Sequence, residues 1–235
     1  MEIRLRKSLI IILFSFFIII LPVFLVFFGI EVAITGWSLI SLLVIIGAIV
    51  AITMEFSHQI PKTKEIALII VLGTMIASLR VPFAALPNIQ PCTFLIICTG
   101  IIYGPNIGFL VGILTPLISN FFLGHGPWSP LQMYAWGLIG SIAGMIKFNP
   151  KINRWKLGLL GILSGYLYGL IMNVWFWYTF LYPLSIYTFI IAEMQGIFFD
   201  TLHAIGNFSF LTILGVRTLG VFNDLKNRFG FKSRL

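Results

Sequence analysis

The sequence predicts an all-α protein, a polytopic bundle of about eight transmembrane helices. Of its 235 residues, 59% are hydrophobic and only 9% are charged, whereas a water-soluble domain carries about 25% charged residues. Apolar runs near or above the ~20 residues that cross a bilayer recur along the whole chain. The longest polar stretch is the short C-terminal tail, so no separate soluble domain is expected.

Hydropathy and helix-breaking residues divide the chain into eight apolar segments. In chain order they are residues 8–28, 37–54, 66–81, 92–103, 107–123, 132–146, 157–181 and 187–214. The fourth segment is short for a full crossing. We therefore expect it to be tilted or partly buried in protein.

Basic residues predict the orientation of these segments. The net charge is +8, and the positive-inside rule places Lys and Arg in cytoplasmic loops. Four clusters fall on one side of an eight-span bundle: Arg4, Arg6 and Lys7; Lys62 and Lys64; Lys147, Lys151, Arg154 and Lys156; and Arg217, Lys226, Arg228, Lys232 and Arg234. Both termini are therefore expected in the cytoplasm of a cell-membrane protein, and the loops 29–36, 82–91, 124–131 and 182–186 outside.

The sequence lacks the motifs of several nucleotide-binding, hydrolytic, metal and redox sites. The sequence contains no G-x-x-x-x-G-K-[ST], H-E-x-x-H, G-x-S-x-G or C-x-x-C. Cys92 and Cys98, six residues apart on one helix, are too far apart to bridge. Neither redox nor metal chemistry is indicated, no cofactor is expected, and the chain cannot bind ATP by a P-loop of its own.

Glycine residues at helical spacing indicate how the helices pack. Small residues on one face of a helix let two backbones approach closely in lipid. Packing inside the bundle is favoured over an interface with a partner. The residues concerned are Gly108 and Gly112, Gly140 and Gly144, and Gly161, Gly165 and Gly169.

The last segment carries ionisable residues at membrane depth, which are functional candidates by default. Glu193 and Asp200 lie about 20° apart around the helix, and His203 and Asn207 fall within the same sector of roughly 80°. Three interpretations remain open for this stripe. The stripe could be a packing network, in which Asp200 is paired with His203 or with a neighbouring Asn. It could instead be the wall of a binding site. The third interpretation is a proton relay.

Polar and aromatic residues also gather at the predicted outer side. An apolar cavity with a few convergent polar groups is the usual composition of a small-molecule site. The candidate substrate-binding residues are Asn88, Gln90, His125 and Trp128 in the outer loops, and Gln132, Trp136, Asn173, Trp177 and Glu193 in the outer halves of the last three segments.

Residues 90–145 resemble the substrate-binding (S) components of energy-coupling factor (ECF) transporters. The resemblance rests on Gln90-Pro91, the Gly104-Pro105 turn followed by Gly108 and Gly112, Asn120, and Gly126-Pro127-Trp128 leading to Gln132-Met133 and Trp136-Gly137. It implies a six-helix core that captures a vitamin from outside, in a pocket lined by the last three helices under outer loops. It also implies two kinds of partner, a transmembrane coupling subunit and a pair of ABC ATPases.

The resemblance divides the chain into a six-helix core, residues 61–217, two extra N-terminal spans within residues 1–60, and a basic cytoplasmic tail, residues 218–235. The 90–137 signature is most similar to S components associated with cobalamin and other corrinoids. The alternative function is a self-sufficient secondary transporter, with Glu193, Asp200 and His203 as a proton relay. An intramembrane enzyme using the same residues lacks any recognisable motif.

Overall fold

The computed structural model describes residue 46 and residues 63–228. These residues are helical wherever they are regular, and no strand occurs among them. In chain order the helices are α1 (Thr63–Phe83), α2 (Cys92–Tyr103), α3 (Pro105–Leu123), α4 (Ser129–Gly144), α5 (Arg154–Phe180) and α6 (Ile186–Phe210), then a π-helical turn (Leu211–Gly215) and α7 (Val216–Arg228).

The all-helical expectation is confirmed, but the count of eight membrane spans is not supported. The third to eighth predicted segments each overlap one of the helices α1–α6, in the same order. Four described helical stretches are long and apolar enough to cross a membrane: Ile66–Phe83, Pro105–Leu123, Arg154–Phe180 and Ile186–Arg228. With 12 and 16 residues, α2 and α4 fall short of the ~20 residues that a crossing needs. The first two predicted spans lie outside the described residues.

Helix α2 forms the centre of the bundle. Every residue from Cys92 to Tyr103 is buried, as expected for a helix that is hydrophobic all round. The hydroxyl of Thr99 donates to the carbonyl oxygen of Leu95, 2.8 Å away, so this buried polar group is satisfied within the helix. The expectation that the short fourth segment lies within protein is confirmed.

Helices α3 and α4 pack with their backbones in direct contact. A Cβ added at Gly108 would overlap the carbonyl oxygen of Gly140, and one at Gly140 would overlap that of Gly108. A Cβ at Gly144 would overlap the backbone of Pro105. These glycines therefore serve packing inside the bundle, as the sequence predicted.

Helices α5 and α6 form the second close pair. A Cβ at Gly161 would lie 2.9 Å from the backbone of Asn207, and one at Gly165 would lie 2.6 Å from the Cα of Ala204. The predicted packing role is confirmed for these two positions. Gly169, one turn further along, faces a side chain instead of a backbone, and that difference shapes the site described below.

The loop between α3 and α4 is shorter than the sequence indicated. Residues 124–131 were predicted to form an outer loop, but α4 already begins at Ser129. Pro130 lies in the first turn of the helix, where the missing N–H has no intrahelical partner to lose. The connecting loop is therefore residues 124–128, with Trp128 at the N-cap.

The last helix extends well past its predicted end. The π-helical turn leads from α6 into α7, where Leu219 and Phe222 are buried. The hydroxyl of Tyr103 donates to the carbonyl oxygen of Phe222 at 3.0 Å, and Lys226 Nζ donates to the carbonyl oxygen of Ile102 at 2.7 Å. Residues 218–228, predicted as part of a tail, are therefore helical and packed against the end of α2. The division of the chain into domains remains a prediction.

Candidate functional site

A cavity of about 440 Å³ lies between α4, α5 and α6, at the end of the bundle that carries loops 84–91 and 124–128. We call this the central cavity. Its volume lies at the lower end of the 300–1,000 Å³ that is typical of small-molecule sites. Its lining residues are Asn88, Gln132, Tyr168, Gly169, Met172, Asn173, Trp175, Phe176, Ala192, Gln195, Gly196, Phe199 and Asp200.

Aromatic side chains form much of the cavity wall. Tyr168 is buried against the ring of Trp136, with 4.9 Å between ring centroids. Trp175 contacts Trp128 edge to face at 5.7 Å, which connects the wall to the start of α4. Such faces suit a flat ring, because aromatic rings favour offset-stacked and edge-to-face contacts.

One amide links the two carboxylates of α6. Asn173 Nδ2 donates to Glu193 Oε2 at 3.1 Å and to Asp200 Oδ2 at 2.9 Å. Two glycines provide the space: a Cβ at Gly169 would overlap the Asp200 carboxylate, and one at Gly196 would overlap the Asn173 amide. Helices α5 and α6 can therefore hold polar side chains between them at this level.

Asp200 separates the central cavity from a second, apolar groove. The groove measures about 670 Å³ and is lined by Tyr166, Leu167, Leu170, Ile190, Glu193, Met194, Ile197 and Asp200. Most of its apolar side chains are exposed on the outer surface of the bundle. Asp200 itself is only 7% exposed, so its carboxylate belongs to the interior.

A buried arginine, Arg80, fixes the part of the cavity wall that contains Gln132 of α4. Arg80 Nη1 donates to Asn120 Oδ1 at 2.6 Å and to Ser119 Oγ at 2.7 Å, and Arg80 Nε donates to Gln90 Oε1 at 3.1 Å. Asn120 Nδ2 in turn donates to Gln132 Oε1 at 2.9 Å. Gln132 is thereby held in the cavity wall by a network that starts on α1.

Arg80 lies at the outer end of the third predicted segment, where the sequence leads us to expect a long basic side chain to snorkel to the membrane interface, and this expectation is wrong. Its side chain is only 7% exposed, and the guanidinium lies over the ring of Trp136, 4.9 Å from the centroid. Leu68, Leu72, Ile76 and Arg80 follow one another at i, i+4 and are all buried. Arg80 therefore continues the inward stripe of α1, where hydrogen bonds and the aromatic ring satisfy its charge.

His203 connects three parts of the structure beside the cavity. Its Nδ1 lies 3.0 Å from the backbone oxygen of Asn88, and its Nε2 lies 2.9 Å from Thr93 Oγ1. A carbonyl only accepts, so Nδ1 carries the proton, and in a neutral ring Nε2 accepts from the Thr93 hydroxyl. Thr93 also accepts from Trp136 Nε1 at 2.9 Å. Asp200 is therefore partnered by Asn173, and both ring nitrogens of His203 are used elsewhere.

Asn88 closes one side of the cavity. It has a φ of 55°, a left-handed conformation that Asn tolerates better than most residues. Its Nδ2 donates to the carbonyl oxygen of Phe199 at 3.2 Å. Together with the contact between His203 and the Asn88 carbonyl, this bond ties loop 84–91 to α6.

The structure brings some of the predicted site residues to the cavity. Asn88, Gln132 and Asn173 line it. Glu193 contacts Asn173 and faces the apolar groove, and Trp128 contacts the cavity wall through Trp175.

Four predicted residues lie elsewhere. His125 is exposed and packs against Phe121. Trp177 is buried and donates to Thr188 at 3.0 Å, joining α5 to the start of α6. Gln90 and Trp136 lie behind the wall, in contact with Arg80.

Sequence reasoning missed Arg80 as an organising residue and most of the aromatic wall. The residues missed are Tyr168, Met172, Trp175, Phe176 and Phe199. They stand among many other apolar side chains of α5 and α6, so no periodicity marks the face that lines a cavity. The signal for Arg80 was present, because an ionisable residue at membrane depth is a functional candidate by default. Its position near a helix end favoured the interface instead.

The arrangement suits reversible binding of a small molecule. Aromatic faces and amide groups surround the space, and two carboxylates lie at one wall. Within residues 63–228, no group of three or more His, Cys, Asp or Glu side chains could hold a metal ion. Cys92 and Cys98 are both free and buried.

Comparisons with known proteins identify the family. The model of the ECF-type riboflavin transporter S component family matches residues 65–220, about two thirds of the chain. Two UPF0397 proteins of Aliivibrio fischeri, from strain MJ11 and strain ATCC 700601 / ES114, are each 30% identical over 79 residues. That stretch is 34% of this chain and 42% of each relative, so the chain spans less than half their length. None of the solved structures gives a significant match.

These comparisons support the resemblance to S components but not its cobalamin-associated group. The matched family is described by riboflavin, and neither of the two UPF0397 proteins is described by a corrinoid. S components are substrate-binding subunits of membrane transporters and are not enzymes. The chain belongs to the ECF-type riboflavin transporter S component family.

Proposed function

We propose that this protein captures riboflavin, or a vitamin with a ring system of similar size, in the central cavity. The observation that carries the proposal is this cavity of about 440 Å³ between α4, α5 and α6, in a chain of the riboflavin S component family. Riboflavin combines a flat tricyclic ring with a hydroxylated chain. The aromatic wall suits the ring, and Asn88, Gln132, Asn173 and Asp200 supply groups for its polar atoms.

Cobalamin is a less suitable ligand for this cavity. A corrin macrocycle with its side chains and nucleotide loop is several times larger than riboflavin. The cavity volume lies at the lower end of the usual range for small-molecule sites. A corrinoid would require α5 and α6 to separate, yet they are in close contact at Gly161 and Gly165.

The proposed transport cycle depends on partners. The substrate enters from outside past loops 84–91 and 124–128, and release to the cytosol is driven by a coupling subunit and two ABC ATPases. The absence of a P-loop motif in the sequence agrees with this division of labour. Both termini are proposed to lie in the cytoplasm, as the basic clusters indicate.

The geometry gives little support to a proton-coupled carrier. Asp200 and Glu193 share Asn173, while His203 is hydrogen-bonded to Thr93 and to the Asn88 carbonyl. The acids and the histidine therefore belong to two separate networks.

Reconstitution tests the proposal. Proteoliposomes with the full chain, a coupling subunit and the ATPases should take up riboflavin when ATP is inside, and an ATPase variant that cannot hydrolyse ATP is the matched control. The chain alone should bind riboflavin without accumulating it. Accumulation by the chain alone, abolished by an uncoupler, would establish the secondary transporter instead.

A further inference from the structure

Thr93 lies behind the central cavity and uses its hydroxyl differently from the other threonine of α2. A threonine hydroxyl inside a helix can donate to the carbonyl oxygen four residues earlier, and Thr99 donates to Leu95 in this way at 2.8 Å. Thr93 is the second residue of α2, so the carbonyl four residues earlier, that of Ile89, precedes the helix. The Thr93 side chain is fully buried, and its hydroxyl is hydrogen-bonded to other helices instead.

The hydroxyl of Thr93 joins rings from two other helices. Trp136 Nε1 of α4 donates to Thr93 Oγ1 at 2.9 Å, and Thr93 Oγ1 lies 2.9 Å from His203 Nε2 of α6. A hydroxyl offers one donor and two acceptor sites, so it accepts from the indole and donates to the neutral imidazole at the same time. A valine side chain, which has nearly the same shape, can do neither.

Both of these rings contact Tyr168, which lines the cavity. The ring centroid of Tyr168 lies 4.9 Å from that of Trp136 and 4.9 Å from that of His203. The hydroxyl and the three rings therefore form a closed set of contacts, in which every side chain is buried. Tyr168 is also hydrogen-bonded to Gln132, another lining residue. The position of Tyr168 in the wall thus depends on the two rings that Thr93 holds.

His203 extends the same support to the loop that closes one side of the cavity. Its Nδ1 donates to the backbone oxygen of Asn88 at 3.0 Å, and Asn88 lines the cavity. In a neutral ring this leaves Nε2 as an acceptor, and the Thr93 hydroxyl is the donor that it meets. One hydroxyl on α2 therefore supports lining residues on α5 and on loop 84–91.

We infer that Thr93 is a positioning residue for vitamin binding. It lies outside the central cavity and holds Trp136 and His203. Through these two rings it fixes Tyr168 and Asn88, which line the site. Without the hydroxyl, an indole N–H and an imidazole nitrogen are left unpaired in the interior, which is costly, and both rings are free to shift. The inference rests on the proposed capture function and adds a residue that acts on the same site from behind the wall.

Thr93→Val tests the inference, because it removes the hydroxyl and keeps the shape of the side chain. Riboflavin affinity of the full chain in nanodiscs, measured by isothermal titration, should fall about tenfold or more. Thr93→Ser retains a hydroxyl and should bind within about threefold of the parent. Thr99→Val is the matched control, since it removes a buried hydroxyl of the same helix that donates to Leu95 within α2. It should leave the affinity unchanged.

A measurement without ligand separates the inference from the riboflavin assignment. In protein that contains isotopically labelled histidine, the ring-nitrogen NMR signals of His203 are identified by their loss in His203→Gln. They should move in Thr93→Val and stay in place in Thr99→Val. If the parent does not bind riboflavin and these signals move as expected, the riboflavin assignment fails and the positioning role of Thr93 is supported.

Several results overturn the inference. Equal riboflavin affinity of the parent and a folded Thr93→Val protein does so, as do His203 signals that Thr93→Val leaves in place. A loss shared equally with Thr93→Ser or with Thr99→Val shows a general packing effect and also overturns it. If Thr93→Val does not fold, Trp136→Phe removes one of the two hydrogen bonds from its other end and should lower riboflavin affinity about threefold or more. Unchanged affinity in Trp136→Phe then overturns the inference.

Discussion

Glycine makes room at the contact between α3 and α4 and also at the contact between α5 and α6 around Gly169 and Gly196, which we call the upper half of that pair. The two contacts differ in what fills the room. At Gly108 and Gly140 each missing Cβ makes room for the facing backbone, and the helices close completely. At Gly169 and Gly196 the missing Cβ makes room for the side chains of Asp200 and Asn173. The same residue type thus produces a closed interface in one pair and a polar cavity wall in the other.

The lower half of α5 shows where this change occurs. Gly161 and Gly165 face the backbone of α6, as the glycines of α3 face α4. One turn later, Gly169 faces the Asp200 carboxylate. Close packing below therefore holds α5 and α6 together, while the polar contacts above leave space for a ligand.

The largest expected effect is on the closed interface. Gly108→Val would force side-chain atoms into the carbonyl of Gly140, and overpacking typically costs about 1–3 kcal/mol and occasionally more. We expect strongly reduced yield of folded protein and a lower thermal-unfolding midpoint in detergent. Gly220→Ala is the control, because nothing lies within 4 Å of an added Cβ. Equal midpoints for Gly108→Val and the parent would refute the account of this interface.

Gly169→Ala should separate binding from folding. The new methyl group displaces Asp200, so riboflavin affinity should fall about tenfold or more. Gly165→Ala, one turn below, should instead lower the thermal midpoint because it meets the backbone of α6. Isothermal titration and thermal unfolding of both variants test the comparison. If the two variants lose binding and stability in the same proportion, the two halves of α5 do not differ as described.

Gln132→Ala tests the part of the cavity wall that α4 supplies. Loss of one hydrogen bond costs about 0.5–1.5 kcal/mol, so riboflavin affinity should fall roughly 3- to 10-fold. Arg80→Met should have a similar effect, because Arg80 acts by orienting Gln132 through Asn120. The double variant should then bind about as well as Gln132→Ala alone. Additive losses would show that Arg80 contributes by another route.

The smallest expected effect concerns the loop that joins α3 to α4. Trp128 contacts Trp175 in the cavity wall, so Trp128→Ala should speed ligand release several-fold while association changes little. Stopped-flow measurement of riboflavin dissociation provides the test. His125→Ala is the control, since His125 is exposed and packs on Phe121 away from the cavity. Equal release rates for the two variants would remove Trp128 from the exit path.

The described helices could be predicted from the sequence because apolar runs and helix-breaking residues mark the limits of membrane segments directly. The short segment 92–103 was found with its limits, and its burial followed from its length. The ends of helices were predicted less well where the sequence carries no clear end signal. An example is the end of α6 at Phe210, where the chain stays helical through the π-helical turn into α7. The count of eight spans is not supported, because two of the predicted segments form helices of only 12 and 16 residues, which look like crossings in a hydropathy profile.

The site was only partly predictable. Polar residues on apolar helices, such as Gln132, Asn173 and Glu193, stand out in the sequence. Aromatic residues do not, and Trp177 and Trp136 were selected although neither lines the cavity. The orientation of Arg80 depends on packing of α1 against α3, which no local pattern encodes.

The central claim is that the cavity around Asn173 binds the vitamin. Quenching of riboflavin fluorescence by the purified full chain measures this most directly, with Asn173→Leu as the test variant and Asn227→Leu, at an exposed position on α7, as its matched control. The account predicts one riboflavin per chain for the parent and the control, and an affinity at least about tenfold weaker for Asn173→Leu. Absence of binding by the parent, or equal binding by a folded Asn173→Leu protein, would contradict it.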